Sequence, residues 1–120
     1  MGTFSVTIEI GSPDRQRWEQ VEALVDTGAT FTWLPETLLR ELGYAPDEKK
    51  SFQMGDGRVV DIDICDVAVR LGTEVHATVY AFANPNETPG LGAVTLEQFL
   101  LAPDPVNQRL LPVPGLRVTR

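Results

Sequence analysis

The chain has 120 residues, 17 acidic against 10 basic for a formal charge of −7, and it is 42% hydrophobic and 22% charged, which suits one globular domain (1–120) and excludes a disordered or collagen-like polymer. A single Cys65 and a single His76 exclude an internal disulfide and a Cys/His zinc site, so neither metal nor cofactor is expected. The acidic balance repels a phosphate backbone, no stretch approaches the roughly 20 apolar residues of a membrane helix, and Met1-Gly2-Thr3-Phe4 lacks a basic-then-apolar leader, so neither nucleic acid nor membrane is expected as a partner and the expected location is cytoplasmic.

Thr3 to Ile10 alternates strictly, with Phe4, Val6, Ile8 and Ile10 on one side, the pattern of a half-buried strand. Gly11-Ser12-Pro13-Asp14 has turn chemistry, and Trp18 to Val25 resumes the extended pattern, predicting a hairpin. Pro35 at a first helical position, Glu36 beside it, Leu38, Leu39 and Leu42 on one side and Gly43 just beyond predict a short helix. An ion pair between Glu36 and Arg40 adds only ~0.3 kcal/mol, so packing on a sheet must hold the helix.

Asp47-Glu48-Lys49-Lys50 reads as a solvated run, followed by two extended arms, Phe52 to Ile64, around Gly55-Asp56-Gly57, with Asp56-Gly57 supplying the positive φ angles of a tight hairpin. Val67, Val69 and Leu71, then Val75, Ala77, Val79 and Ala81, predict two more strands about the Gly72-Thr73 turn, which sets His76 on the outer side with Glu74 and Thr78. Asn84 to Gly90 is a loop. A second helix, Thr95 to Leu101, starts on a capping box of Thr95 and Gln98 and ends at Pro103. Arg109 to Leu111 and Leu116 to Val118 are extended, and the prolines between them confine any pairing to an edge. Seven or eight strands with one or two short helices predict an all-β domain, closed or sandwiched.

One stretch carries chemistry: Ala23-Leu24-Val25-Asp26-Thr27-Gly28-Ala29-Thr30, where an acid ends an apolar strand at a tight turn. A carboxylate buried without partners costs several kcal/mol, so Asp26 must be hydrogen-bonded, share a proton, or sit at the floor of a wet cleft. Thr27 offers a hydroxyl, Gly28 allows close backbone approach and Ala29 leaves space. An ordinary Asx turn is an equally simple reading of these letters.

Taken with the rest of the chain, the sequence resembles the retropepsin-like aspartic proteases, the small homodimeric branch of the pepsin-like superfamily. Leu24-Val25-Asp26-Thr27-Gly28-Ala29 answers the catalytic motif, Met54-Gly55-Asp56-Gly57 falls where the family has its substrate-covering flap, and Leu91-Gly92 ahead of a C-terminal helix answers the second signature. The resemblance runs from Thr3 to about Leu111 and is nearest to the single-domain bacterial and archaeal members. It departs at Gly90, where a bulky apolar residue is usual, at Thr30, where viral members carry a second acid, and in a flap without the tyrosine of two-domain relatives. What it implies is a closed β-barrel-like fold, Asp26 as catalytic residue, Thr27, Gly28 and Ala29 as its support, Met54, Gly55, Asp56 and Gly57 as a flap over a peptide or protein substrate, and a homodimer.

Hydrolysis by carboxylates needs one group to take a proton and another to give one, so a chain with a single Asp-Thr-Gly holds half a catalyst. A two-fold axis placing Asp26 beside its own copy completes the pair. The alternative is a dimerisation or peptide-binding module that keeps the fold and cuts nothing. Cys65 reads as a buried thiol and not a nucleophile, and Trp33 as a core aromatic near enough to Asp26 to line a pocket.

Overall fold

The alternation at the start of the chain buries Phe4, Ile8 and Ile10 and leaves Thr3, Ser5 and Thr7 in solvent. In the computed structural model, which describes residues 3–117, this stretch is β1 (Ser5–Gly11), paired antiparallel with β2 (Trp18–Val25) in the expected hairpin. Trp18 covers Gly11 so closely that a Cβ there would lie 2.8 Å from the indole, and the Arg70 guanidinium stacks on that ring, its carbon 3.9 Å from the centroid.

Helix α1 (Glu36–Leu42) buries Leu39 and Leu42 and stops at Gly43, whose φ of 106° lets its N–H reach back to the Arg40 carbonyl. Pro35 is not its first residue. It closes a strand missed in the sequence, β3 (Thr32–Pro35), which runs parallel to β6 (Glu74–Ala83). Only four residues long, β3 is too brief for alternation to show.

The supposed solvated run is also a strand. β4 (Glu48–Gln53) pairs with the first half of β5 (Val59–Leu71), its charged side chains facing water while its backbone is paired. As the last strand of the sheet, β4 uses those charges to discourage further pairing. The two segments expected on either side of Cys65 are one 13-residue strand, which passes from β4 to β6 and β1 as partners along its length. In β6 the expected face is enclosed only in part: Ala81 is buried as expected but Ala77 is exposed, while Thr78 and Tyr80 of the other side are buried. They stand opposite Val67 and Cys65, whose side of the sheet is the interior. His76 shares that side and is half-buried, its ring edge-on to Phe99 at 4.7 Å.

The second helix begins earlier than the capping box implies. α2 spans Ala93–Gln98 after the short strand β7 (Gly90–Leu91); Thr95 lies inside the helix, and Gln98 donates to the Ala77 carbonyl. Pro103 does not end this helix but sits in β8 (Leu101–Asp104), which forms a separate hairpin with β9 (Arg109–Pro112). Val118 lies outside the described residues, and Leu116 and Arg117 are in no strand.

Among the described residues there are nine strands and two helices. The main sheet runs β1-β2-β7-β3-β6-β5-β4, and β1 also pairs with β5, so six strands close on themselves with β4 attached outside. Ile8, Ile10, Val25, Leu34, Val67, Val69, Tyr80 and Leu91 fill the interior, with Leu39 and Leu96 bringing the helices onto it. The all-β expectation holds. Among the described residues no helix is long and apolar enough to cross a membrane.

Candidate active site

Asp26 follows directly on β2, whose end is fixed by β7, lying parallel to it and pairing Leu24 with Gly90 and Val25 with Leu91. The Asp26 N–H donates to the Leu91 carbonyl at 3.0 Å. From there the chain turns back, the Ala29 N–H donating to the Asp26 carbonyl, and enters β3 on the far side of β7.

The Asp26 side chain is half-buried, and its Oδ1 accepts the Gly28 N–H at 3.0 Å. The Asx-type turn is therefore present, and it orients the carboxylate instead of consuming it. Among the described residues Oδ2 has no hydrogen-bond partner. Thr27 and Gly28 are exposed and Ala29 is half-buried.

A cavity of about 850 Å³ opens in front of this loop. Asp26, Gly28 and Ala29 line one side, and Met54 and Gly55 from the hairpin line another; Thr27, Asp56, Gly57, Leu91 and Gly92 do not reach it. Leu91 and Gly92 instead stand behind the loop, both buried. Gly92 must be glycine on steric grounds, because a Cβ there would lie 2.5 Å from the Phe31 carbonyl carbon.

The hairpin tip is wider than a two-residue turn. The Gly57 N–H donates to the Met54 carbonyl and the Met54 N–H to the Arg58 carbonyl, and of the Asp56-Gly57 pair only Gly57 has a positive φ, 90°. Asp56 folds back to accept from the backbone N–H and the Nε of Arg58, bonds that hold its carboxyl below the usual range.

Aromatic rings join these walls. Phe31, five residues past Asp26, meets Phe52 at the foot of the hairpin edge-to-face, with centroids 5.6 Å apart, so the site loop and the hairpin touch through side chains. Trp33 lines the cavity as anticipated, its Nε1–H donating to the Thr88 carbonyl at 2.7 Å. Its ring occupies the place a side chain at Gly90 would need: a Cβ there would lie 2.1 Å from Cζ2. The departure at Gly90 is thus answered across the sheet by Trp33.

The carboxylates of Glu36, Asp61, Asp63 and Glu87 also line the cavity, with Lys49 bonded to Asp63 at 2.7 Å. Asp61 and Asp63 look like ordinary solvent-facing acids in an alternating strand; only the fold of β5 against β4 brings them to this space. Cys65 is buried and away from the cavity, and burial pushes its thiol up to about 11, so it is no nucleophile at neutral pH. Among the described residues no group of three or more His, Cys, Asp or Glu side chains is placed to hold a metal ion.

Residues 6–98, β1 through α2, match the family described as aspartyl protease. No curated protein matches the chain. Among solved structures it is similar to the solution structure of the simian foamy virus (mac) protease, with 17% sequence identity and a TM-score of 0.55, over 77% of this chain and 90% of that one. At such identity the likeness concerns the fold, and it is the retropepsin fold.

Proposed function

We propose that this chain, which belongs to the aspartyl protease family and is an aspartic-type peptidase, cuts peptide bonds as a homodimer in which Asp26 of each protomer meets its copy at a two-fold axis. The observation that carries this reading is the half-exposed Asp26 carboxylate, oriented by Gly28 and facing a cavity that the hairpin tip bounds on the other side. One such acid is half of what the chemistry requires, and a symmetric copy supplies the rest.

Two carboxyls ~3 Å apart do not ionise independently, so the pair shares one proton. The ionised member takes a proton from a water held between them as that water attacks the scissile carbonyl carbon. The protonated member donates to the carbonyl oxygen, giving a tetrahedral diol. Collapse of the diol breaks the C–N bond, the leaving nitrogen gains a proton, and the dyad returns to its one-proton state. No bond forms between enzyme and substrate.

In this reading the exposed Thr27 hydroxyl bonds across the axis beneath the acids, Gly28 receives substrate backbone, Ala29 keeps the approach open, and Met54 to Gly57 close over the peptide. Leu91 and Gly92 hold the loop from behind. The enzyme works in the cytoplasm, where the free Cys65 thiol persists.

A pool of fluorogenic peptides assayed from pH 3 to 8 tests the proposal. Asp26→Asn lowers turnover by roughly 10³-fold or more, while wild-type specific activity falls on dilution as the dimer dissociates in sedimentation runs. Equal turnover by both proteins overturns the mechanism, and an active protein that sediments as a monomer throughout overturns the shared site.

A further inference from the structure

We propose that three buried hydroxyls, those of Thr32, Thr95 and Thr78, position Asp26 through the backbone behind it, with Thr95 as their hub. The role rests on the peptidase reading; the geometry does not. The Asp26 loop is bound to the segment preceding and opening α2 by four hydrogen bonds. Asp26 N–H donates to the Leu91 carbonyl at 3.0 Å, Gly92 N–H to Thr32 Oγ1 at 2.9 Å, Ala93 N–H to the Ala29 carbonyl at 2.8 Å and Val94 N–H to the Thr30 carbonyl at 3.0 Å.

Helix α2 has no side-chain cap. The carbonyls of Ala29 and Thr30 satisfy its first N–H groups, so the loop caps the helix and the helix holds the loop. Wherever residues 91–94 sit, the backbone of Asp26 sits with them.

The three threonines fix that place. Thr32 Oγ1 lies 2.7 Å from Thr95 Oγ1, which lies 3.2 Å from Thr78 Oγ1. The contacts tie β3, α2 and β6 together, and no member is more than 2% exposed. Gly92 N–H already occupies a lone pair of Thr32, and each hydroxyl has one proton to give. Whichever way the run is oriented, two of the three protons find a hydroxyl acceptor within it, and the two bonds polarise one another. A valine at Thr95 would keep nearly the same shape but leave the Thr32 and Thr78 hydroxyls without their partner, and one at Thr32 would leave the Gly92 N–H without its acceptor. The hydroxyls therefore contribute direction, which apolar packing does not.

An acid pair reacting through one water tolerates errors of only about 0.5 Å, so freedom in residues 91–94 is felt in turnover. The cleft walls from Met54 and Phe52 belong to the β4–β5 hairpin and carry no bond to the triad, so the loss falls on kcat more than on KM.

The test compares Thr95→Val, which keeps the shape and removes the hydroxyl, with Thr95→Ser, which keeps the hydroxyl. Thr95→Val lowers kcat by about tenfold with KM within about twofold, shifts the acid limb of the pH profile, and speeds amide exchange at Gly92 and Asp26 by about tenfold; Thr95→Ser restores all of these. A Thr95→Val protein with wild-type kcat, pH profile and exchange overturns the proposal, as does equal damage in both variants, which would assign Thr95 to packing. Should Thr95→Val fail to fold, Thr78→Val, which leaves the Thr32–Thr95 bond intact, decides: faster Gly92 exchange supports the triad and unchanged exchange overturns it. A wild-type protein without activity defeats the peptidase reading separately, because the exchange comparison still shows whether the hydroxyls hold the loop.

Discussion

Trp33 and Gly90 fill one space between them, and neither residue is free to change alone. The indole is anchored by its bond to the Thr88 carbonyl, and a Cβ at position 90 would meet it at 2.1 Å. Gly90→Ala therefore destabilises the protein by about 2 kcal/mol through overpacking. Trp33→Leu relieves the clash, so a double-mutant cycle in urea shows a coupling of about 1 kcal/mol or more. Additive losses would mean that the pair does not share its space. Cys65 gives a second check at this scale. Its thiol, pushed up to about 11 by burial and secondarily by Asp47 and Asp66, stays protonated and enclosed at pH 8. A chromogenic disulfide reagent then labels it only as fast as the protein unfolds, whereas immediate labelling of the native protein would contradict the buried placement.

Among the elements, the β4–β5 hairpin depends on one left-handed residue. Gly57 has a φ of 90° and open space around its Cβ position, so Gly57→Ala brings backbone strain without collision. It destabilises the tip by about 1 kcal/mol and speeds amide exchange at Met54 and Gly57, with the closed sheet unaffected. The hairpin itself was legible because Gly55-Asp56-Gly57 is strong turn chemistry between extended arms, as were β1, β2 and α1, whose alternation and Gly43 stop are local facts. Other elements were not local. β4 is a strand because β5 offers its backbone a partner, which Glu48-Lys49-Lys50 does not announce. α2 starts at Ala93 because carbonyls more than sixty positions earlier satisfy its N–H groups, so the plausible capping box at Thr95 never forms. The site divides in the same way. Asp26, Gly28, Ala29, Met54 and Gly55 could be read from their motifs and do line one cavity, while Phe31, Asp61, Asp63 and Glu87 join it only through the fold.

At the scale of the whole molecule, three carboxylates in or beside turns couple stability to acid. Asp14 is held below its ordinary 3.8 by the Ser12 hydroxyl and the Gln16 N–H, Asp56 by the backbone and side chain of Arg58, and Asp104 chiefly by Asn107 with help from Arg109. A folded value below the unfolded one means that the unfolded chain binds protons first. The stability these groups contribute is complete above 3.8 and is lost as the pH falls through their lower folded values. Thermal unfolding from pH 6 to pH 2 shows Tm declining below that point, less steeply in Asp104→Asn; an identical slope in the variant would remove Asp104 from the account. The closure of the sheet reaches further still. Its seam is three residue pairs, Glu9 to Gly11 against Arg70 to Ala68, joining stretches about sixty positions apart. On the ribosome, the first hairpin emerges long before β5 and β7 and waits with both backbone edges unclaimed, the interval in which a neighbouring nascent chain takes one of them instead.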